Sequence, residues 1–399
     1  MPDYTPGATV DLRASTMKKV AQLHSQYIDM MLDHYPPGDA RSANVYLGSA
    51  GAALNFLKLY AKTGNNTHLA TAKRYTDAAL QELPALERTS HENGYASFMW
   101  APAGVLAVAA VTYSHLSDAS TASSAIDQMR SIIVANNATH NDFLPGRAGL
   151  LFAARFVAAN NPLGLHLPWT ADELIAVAQA IISAGTSPHR AYMQWQPPPN
   201  MKVGLGTTHG TCGVVKELLY VPGLLRNSSA VALIEATLDH VVSMQFTSGN
   251  FPEQYEKPLD DVLVQWDHGA PGISVTLFLA GRMLNKTSYL QSAELAQDCV
   301  WRRGLLTKGL QNCHGISGNV YSMLIAHEVT GDVKYLYRAL RFVEFVVSQP
   351  SLSDPALMRQ MTPAWVSWTF WPASYQASIM LWTDVLAKQY SMTGYQAPL

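Results

Sequence analysis

Long apolar runs alternate with amphipathic ones along most of this chain. Leu150 to Ala159 and Ile273 to Leu284 are almost unbroken apolar stretches, too long for ordinary strands, and they read as helices buried on most sides. Between such runs lie segments with a single apolar face. From Asp332 to Ser348, for instance, Leu336, Leu340, Val343 and Val347 share one helical face, leaving Lys334, Arg338, Arg341 and Glu344 for the other. No segment sustains a period of two between hairpin turns, so few strands are expected.

The alternation has punctuation. A Gly-x-x-Gly unit precedes the apolar runs at Gly48–Gly51, Gly146–Gly149, Gly210–Gly213, Gly269–Gly272 and Gly315–Gly318. A partial copy stands at Ala101-Pro102-Ala103-Gly104, and a degenerate seventh is expected around Ser374 to Ala377, giving a repeat of roughly 45 to 65 residues. Repeated pairs of one buried and one amphipathic helix bury their apolar surface best as two helical layers. The expected fold class is therefore all-α, an α/α toroid of seven helix-pair units with the last unit degenerate. One domain, 1–399, is expected, with the motifs in about 46–399 and residues 1–45 forming an N-terminal helical segment packed on it. Glycine at each junction is expected to permit positive φ and close backbone approach, and the helix starts to offer N–H donors. The proline-rich stretch Gln196–Asn200 reads as a stiff surface loop.

Composition narrows the function. The 399 residues are 48% hydrophobic and 14% charged with a formal net charge of −2, which provides no basic footprint for nucleic acid or anionic lipid. Neither a secretory leader nor a transmembrane run is legible, and the three cysteines, Cys212, Cys299 and Cys313, are widely spaced. A cytoplasmic protein without a disulfide framework is expected.

Three repeats place histidine before their first glycine: His209, His268 and His314. Equivalent positions of a closed repeat converge, so side chains distant in sequence can form one site. Two of these histidines follow another metal-binding residue, in Asp267-His268 and Cys313-His314. Catalytic zinc commonly takes three protein ligands of this chemistry and leaves a fourth position open; Asp267, Cys313 and His314 supply that set.

The segments Trp266–Gly272, Asn312–Asn319, Gly146–Gly149, Thr208–Gly213 and Tyr335–Ala339 together resemble the eukaryotic lanthionine synthetase C-like (LanC-like) proteins, from about Tyr46 to the C-terminus. The resemblance implies a zinc-bearing toroid related to cyclases that add thiols to dehydrated residues, and a capacity to bind glutathione. By position, Cys313 and His314 match zinc ligands, and Asp267 stands where the family has a second cysteine. His209 matches a proposed general acid, Asp142 an acidic position implicated in the cyclases, and Lys308 a lysine associated with glutathione.

These readings make a zinc-dependent enzyme that activates a thiol, with glutathione as its candidate, for conjugate addition to dehydroamino-acid residues or another activated alkene. Its partners would be a small thiol and an electrophilic peptide or small molecule. Alternatives are a zinc enzyme activating water or a carbonyl of a small metabolite, and a non-catalytic zinc- or glutathione-binding adaptor. A carbohydrate-active toroid would need two convergent carboxylates, for which Asp142 and Asp267 are the only material.

Overall fold

The computed structural model describes residues 1–38, 42–197, 202–354 and 378–387. In chain order the helices are α1 (Ala14–His34), α2 (Ser49–Thr63), α3 (Asn66–Gln81), α4 (Leu83–Asn93), α5 (Pro102–His115), α6 (Ala119–Ala135), α7 (Arg147–Ala159) and α8 (Ala171–Gly185). They continue with α9 (Thr211–Leu219), α10 (Ser228–Ser243), α11 (Ala270–Met283), α12 (Thr287–Arg303), α13 (Ile316–Thr330), α14 (Val333–Ser348) and the short α15 (Pro350–Ser353). Residues 378–387 are also helical. Among the described residues extended structure is confined to isolated bridges, Ser187 with Arg190 and Gly204 with both Gly210 and Gln254.

The two helix types follow the sequence pattern. In α5 every residue from Pro102 to Ser114 is buried, and in α13 every residue from Ile316 to Ala326. The helices between them bury one stripe, as in α6, where Ala122, Ala125, Ile126, Met129 and Ile133 face inward. Asn and Asp cap several of these amphipathic helices: Asn65 accepts from the Thr67 N–H, Asp118 from Thr121, Asn227 from Ser229 and Ala230, and Asp332 from Lys334. Helix α8 opens with a capping box between Thr170 and Glu173.

The chain divides into two compact units. One comprises residues 37–244 and 253–259; in it α2 packs on α3, α5 on α6 and α7 on α8, and the buried helices adjoin in the order α2, α5, α7, α9. The helix α4, which the repeat pattern did not anticipate, packs against α3 and α5. The other unit comprises, among the described residues, 1–36, 245–252, 260–354 and 378–387; in it α11 packs on α12 and α13, α13 on α14, and α1 on α14. The positions expected to carry the degenerate seventh motif, Ser374 to Ala377, lie outside the described residues, as do residues 198–200 of the proline-rich stretch.

Helix α14 adds what periodicity left open. Arg338 is buried, and its guanidinium is held by Asp298 Oδ1 at 2.6 Å and Asp3 Oδ2 at 2.7 Å. The N-terminal residues thus fasten onto α14, helped by the Tyr4 ring 5.5 Å from that of Tyr337.

The repeated glycines act chiefly through close approach. The first glycine of each motif is the N-cap, yet Gly48, Gly146, Gly210 and Gly315 have φ between −102° and −135°, open to any residue; only Gly269, at +98°, needs the left-handed region. What the junction requires is room for the preceding loop. A Cβ on Gly213 would stand 1.8 Å from the Thr207 carbonyl oxygen, and one on Gly318 1.9 Å from that of Asn312.

That proximity also closes the helix starts. The N–H groups of Ser49, Arg147, Thr211 and Ile316 donate to the carbonyls of Ser42, His140, Gly204 and Gly309, each seven residues upstream. Ala50, Ala148 and Cys212 repeat the register one residue on, donating to Ala43, Asn141 and Leu205. The donors that were expected to face a ligand are therefore used by the protein's own loops.

Candidate metal centre and histidine–aspartate pair

The loop before α11 carries Asp267 and His268, and the loop before α13 carries Cys313 and His314. Several bonds hold these loops together. The Asp267 N–H donates to the Cys313 carbonyl at 2.9 Å, and Asn319 on α13 donates from Nδ2 to the carbonyls of Val264 and Gly304 at 3.0 and 2.9 Å. Asn250 fixes the start of α11, accepting from the Ala270 N–H at 2.8 Å while donating to Asp261 and to the Leu263 carbonyl. The absence of a side chain at Gly318 lets this happen, since a Cβ there would also meet the Trp266 Cβ at 2.6 Å.

The result is a cluster of Asp267, His268 and His314, with one candidate ligand atom from each lying within 4.8 Å of the other two. Asp267 Oδ2 is 3.4 Å from His268 Nε2 and 3.6 Å from His314 Nε2, and the imidazole centroids are 5.4 Å apart. Asp267 is buried and both histidines are partly open to solvent, as access for a substrate would require. One carboxylate and two imidazoles form a donor set that suits zinc. Of the expected trio, Asp267 and His314 come together. Cys313 is buried beside them and contributes its carbonyl to Asp267, but its Sγ does not join the 4.8 Å cluster. His268 is the third member of the cluster, and the sequence carried its signal, a histidine before the first glycine of a repeat.

In the other unit, Asp142 precedes α7 and His209 precedes α9. Their loops are tied by the Leu144 N–H donating to the Thr208 carbonyl at 3.2 Å. Asp142 Oδ2 lies 3.0 Å from His209 Nδ1; Asp142 is buried and the His209 side chain is 21% exposed. The rest of the surroundings is aromatic and hydroxylic. The Trp100 ring meets that of His209 edge-on at 6.3 Å, and Thr211, two residues along, shares a 2.9 Å hydrogen bond with the Tyr255 hydroxyl.

Lys308 sits on an exposed bend between α12 and α13 and forms no ion pair among the described residues. Burial pushes the Cys212 thiol far up, and burial is also the largest influence raising Cys299. No helix among the described residues is long and apolar enough to cross a membrane.

Comparison with known proteins sets these clusters in context. Residues 39–353 match the family model described as lanthionine synthetase C-like protein. The chain is 29% identical over 321 residues to "Glutathione S-transferase LANCL1" of Danio rerio, covering 78% of this chain and 76% of the relative. It is 29% identical over 325 residues to "LanC-like protein GCL1" of Arabidopsis thaliana, covering 77% and 71% respectively. Among solved structures it is similar to nisin cyclase with a TM-score of 0.62, 13% identity and coverage of 94% of this chain and 99% of the cyclase. That likeness gives the fold class, the α/α toroid anticipated from the repeats. With a family match extending over most of its length, the chain belongs to the lanthionine synthetase C-like family.

Proposed function

We propose that this protein adds a thiol, with glutathione as its candidate, to a dehydroamino-acid residue or another activated alkene at a zinc centre. The observation that carries the reading is the convergence of Asp267, His268 and His314 from two separate helix-start loops. Family membership and the relative described as a glutathione S-transferase support it.

Asp267 and His314 would hold the metal with Cys313 in the family's ligand position, and His268 is the further donor that the geometry favours. Bound zinc would let a thiol lose its proton near neutral pH. The sulfur that adds would come from the substrate: burial raises the Cys212 and Cys299 thiols, and Cys313 stands in the family's ligand position. In the addition, sulfur forms a bond to the β-carbon, the alkene π pair moves towards the α-carbon and its carbonyl, and a proton completes the product. His209, with Nδ1 held by Asp142, is the proposed donor of that proton. Lys308 is the proposed anchor for a carboxylate of the thiol.

The test is zinc analysis of the purified protein together with mass spectrometry of a dehydroalanine peptide incubated with glutathione. Thioether formation that depends on zinc and protein is expected; full activity after complete zinc removal would overturn the reading. A second reading, activation of water or of a carbonyl in a small metabolite, draws on one specific observation: the clustered ligand atoms are carboxylate and imidazole without a thiolate. Hydrolysis of activated esters that persists without thiol would favour it.

A further inference from the structure

A cavity of about 330 Å³ lies in the unit that carries His209, lined by residues of the loop before α2, of α4, and by Tyr95 and Trp100. Trp100 links it to the histidine–aspartate pair. Its ring lines the cavity and also meets the His209 ring edge-on at 6.3 Å. Tyr46 and Tyr95 pack against the same indole with centroids at 6.2 and 6.0 Å, so the wall is aromatic and braced.

The polar part of the lining differs from what an anionic thiol needs. Ser90 is 3% exposed, and its hydroxyl has no hydrogen-bond partner among the described residues. Buried hydroxyls are normally paired, which marks this one as awaiting a ligand group. Asn44 and Thr89 add an amide and a second hydroxyl, and Glu82 is the one charged residue among the described residues of the lining. The described lining thus offers hydrogen bonds, aromatic faces and an acidic rim.

We infer that this cavity is the subsite for the electrophile: it receives a neutral or cationic peptide segment flanking the dehydroamino acid, with Trp100 setting that segment against His209. This deepens the proposed thiol addition and rests on it. Ser90 would bond a peptide amide, Trp100 and Tyr95 would pack on its side chain, and Glu82 would favour a lysine or arginine over an acidic residue.

The test fills the cavity from its exposed side with Thr89→Trp and removes the rim charge with Glu82→Lys. Equilibrium binding of a dehydroalanine peptide flanked by lysine, read by intrinsic tryptophan fluorescence or by calorimetry, is compared with its glutamate-flanked counterpart. Thr89→Trp should weaken the lysine-flanked peptide by about tenfold, and Glu82→Lys should reverse the lysine-over-glutamate preference. In turnover, the ratio of kcat/KM for the peptide to that for N-acetyldehydroalanine amide should fall by a similar factor in Thr89→Trp, with the KM for glutathione moving less than that for the peptide. Unchanged peptide affinity in both variants, or a larger effect on glutathione than on peptide, would overturn the assignment. If the wild-type protein binds the peptide at this cavity but forms no thioether, the subsite stands and the proposed chemistry fails.

Discussion

Asp142 Oδ2 lies 3.0 Å from His209 Nδ1, joining two loops that are far apart in sequence. The contact directs the Nδ1 proton to the carboxylate, so Nε2 is the nitrogen left to exchange a proton with substrate. Asp142→Asn keeps a polar neighbour but removes the charge that fixes this tautomer. A fall in kcat of about 100-fold with little change in either KM is expected, and His209→Ala should cost at least as much. Steady-state kinetics with both substrates varied checks this, and a change confined to KM would show a binding role instead.

The metal centre makes separable predictions. Asp267→Ala and His314→Ala should each lower the zinc content of the purified protein below half occupancy, since catalytic sites depend on few protein ligands. His268→Ala tests the ligand that geometry adds: loss of zinc comparable to that in His314→Ala is expected, with Cys313→Ala giving the contrast between thiolate and imidazole ligation. Elemental analysis after dialysis against a weak chelator provides the readout. Retention of a full equivalent by His268→Ala would assign His268 a neighbouring role only.

Gly213 sits where its α-hydrogen faces the Thr207 carbonyl, and an added Cβ would stand 1.8 Å from that oxygen. The obstacle is backbone, which cannot rotate aside. Gly213→Ala should therefore destabilise the protein by about 3 kcal/mol or more, read from urea unfolding, and should also displace the His209 loop. Gly331→Ala, at a helix end with φ +73° and open space around it, should cost less, about 1 kcal/mol.

Asp3 and Arg338 give a pH signature. The hydrogen bond from Arg338 is the largest influence on the Asp3 carboxyl and holds it below the ordinary value of 3.8. A carboxyl lowered on folding contributes stability that is present above its unfolded pKa and lost as pH falls through the folded one. The difference in melting temperature between wild type and Asp3→Asn should be constant near neutrality and shrink below about pH 4. A difference that grew on acidification would show that the pairing does not stabilise the fold.

Much of the architecture was legible because helix burial and helix period write themselves into composition. The run at Leu150–Ala159 was read as a helix covered on most sides, and in α7 every residue from Ala148 to Ala154 is buried. The burial of Arg338 was not legible because periodicity records which face a residue shares, while its two aspartate partners are Asp298 on α12 and Asp3 near the N-terminus. Helix α4 escaped notice because a short, largely exposed helix has no strong apolar face.

The candidate site divides along the same line. The sequence by itself named Asp267, His314 and His209 as residues with suitable chemistry at equivalent points of a repeat, and it supplied the family pattern that made zinc and a thiol worth testing. Only the tertiary structure put His268 beside Asp267 and His314, left the Cys313 sulfur outside that cluster, and paired Asp142 with His209. The reason is physical: a repeat in sequence fixes which loops are equivalent. The atoms that meet depend on how closely those loops can approach, and glycines such as Gly213 and Gly318 set that distance through contacts with the backbone of the loop just before each helix.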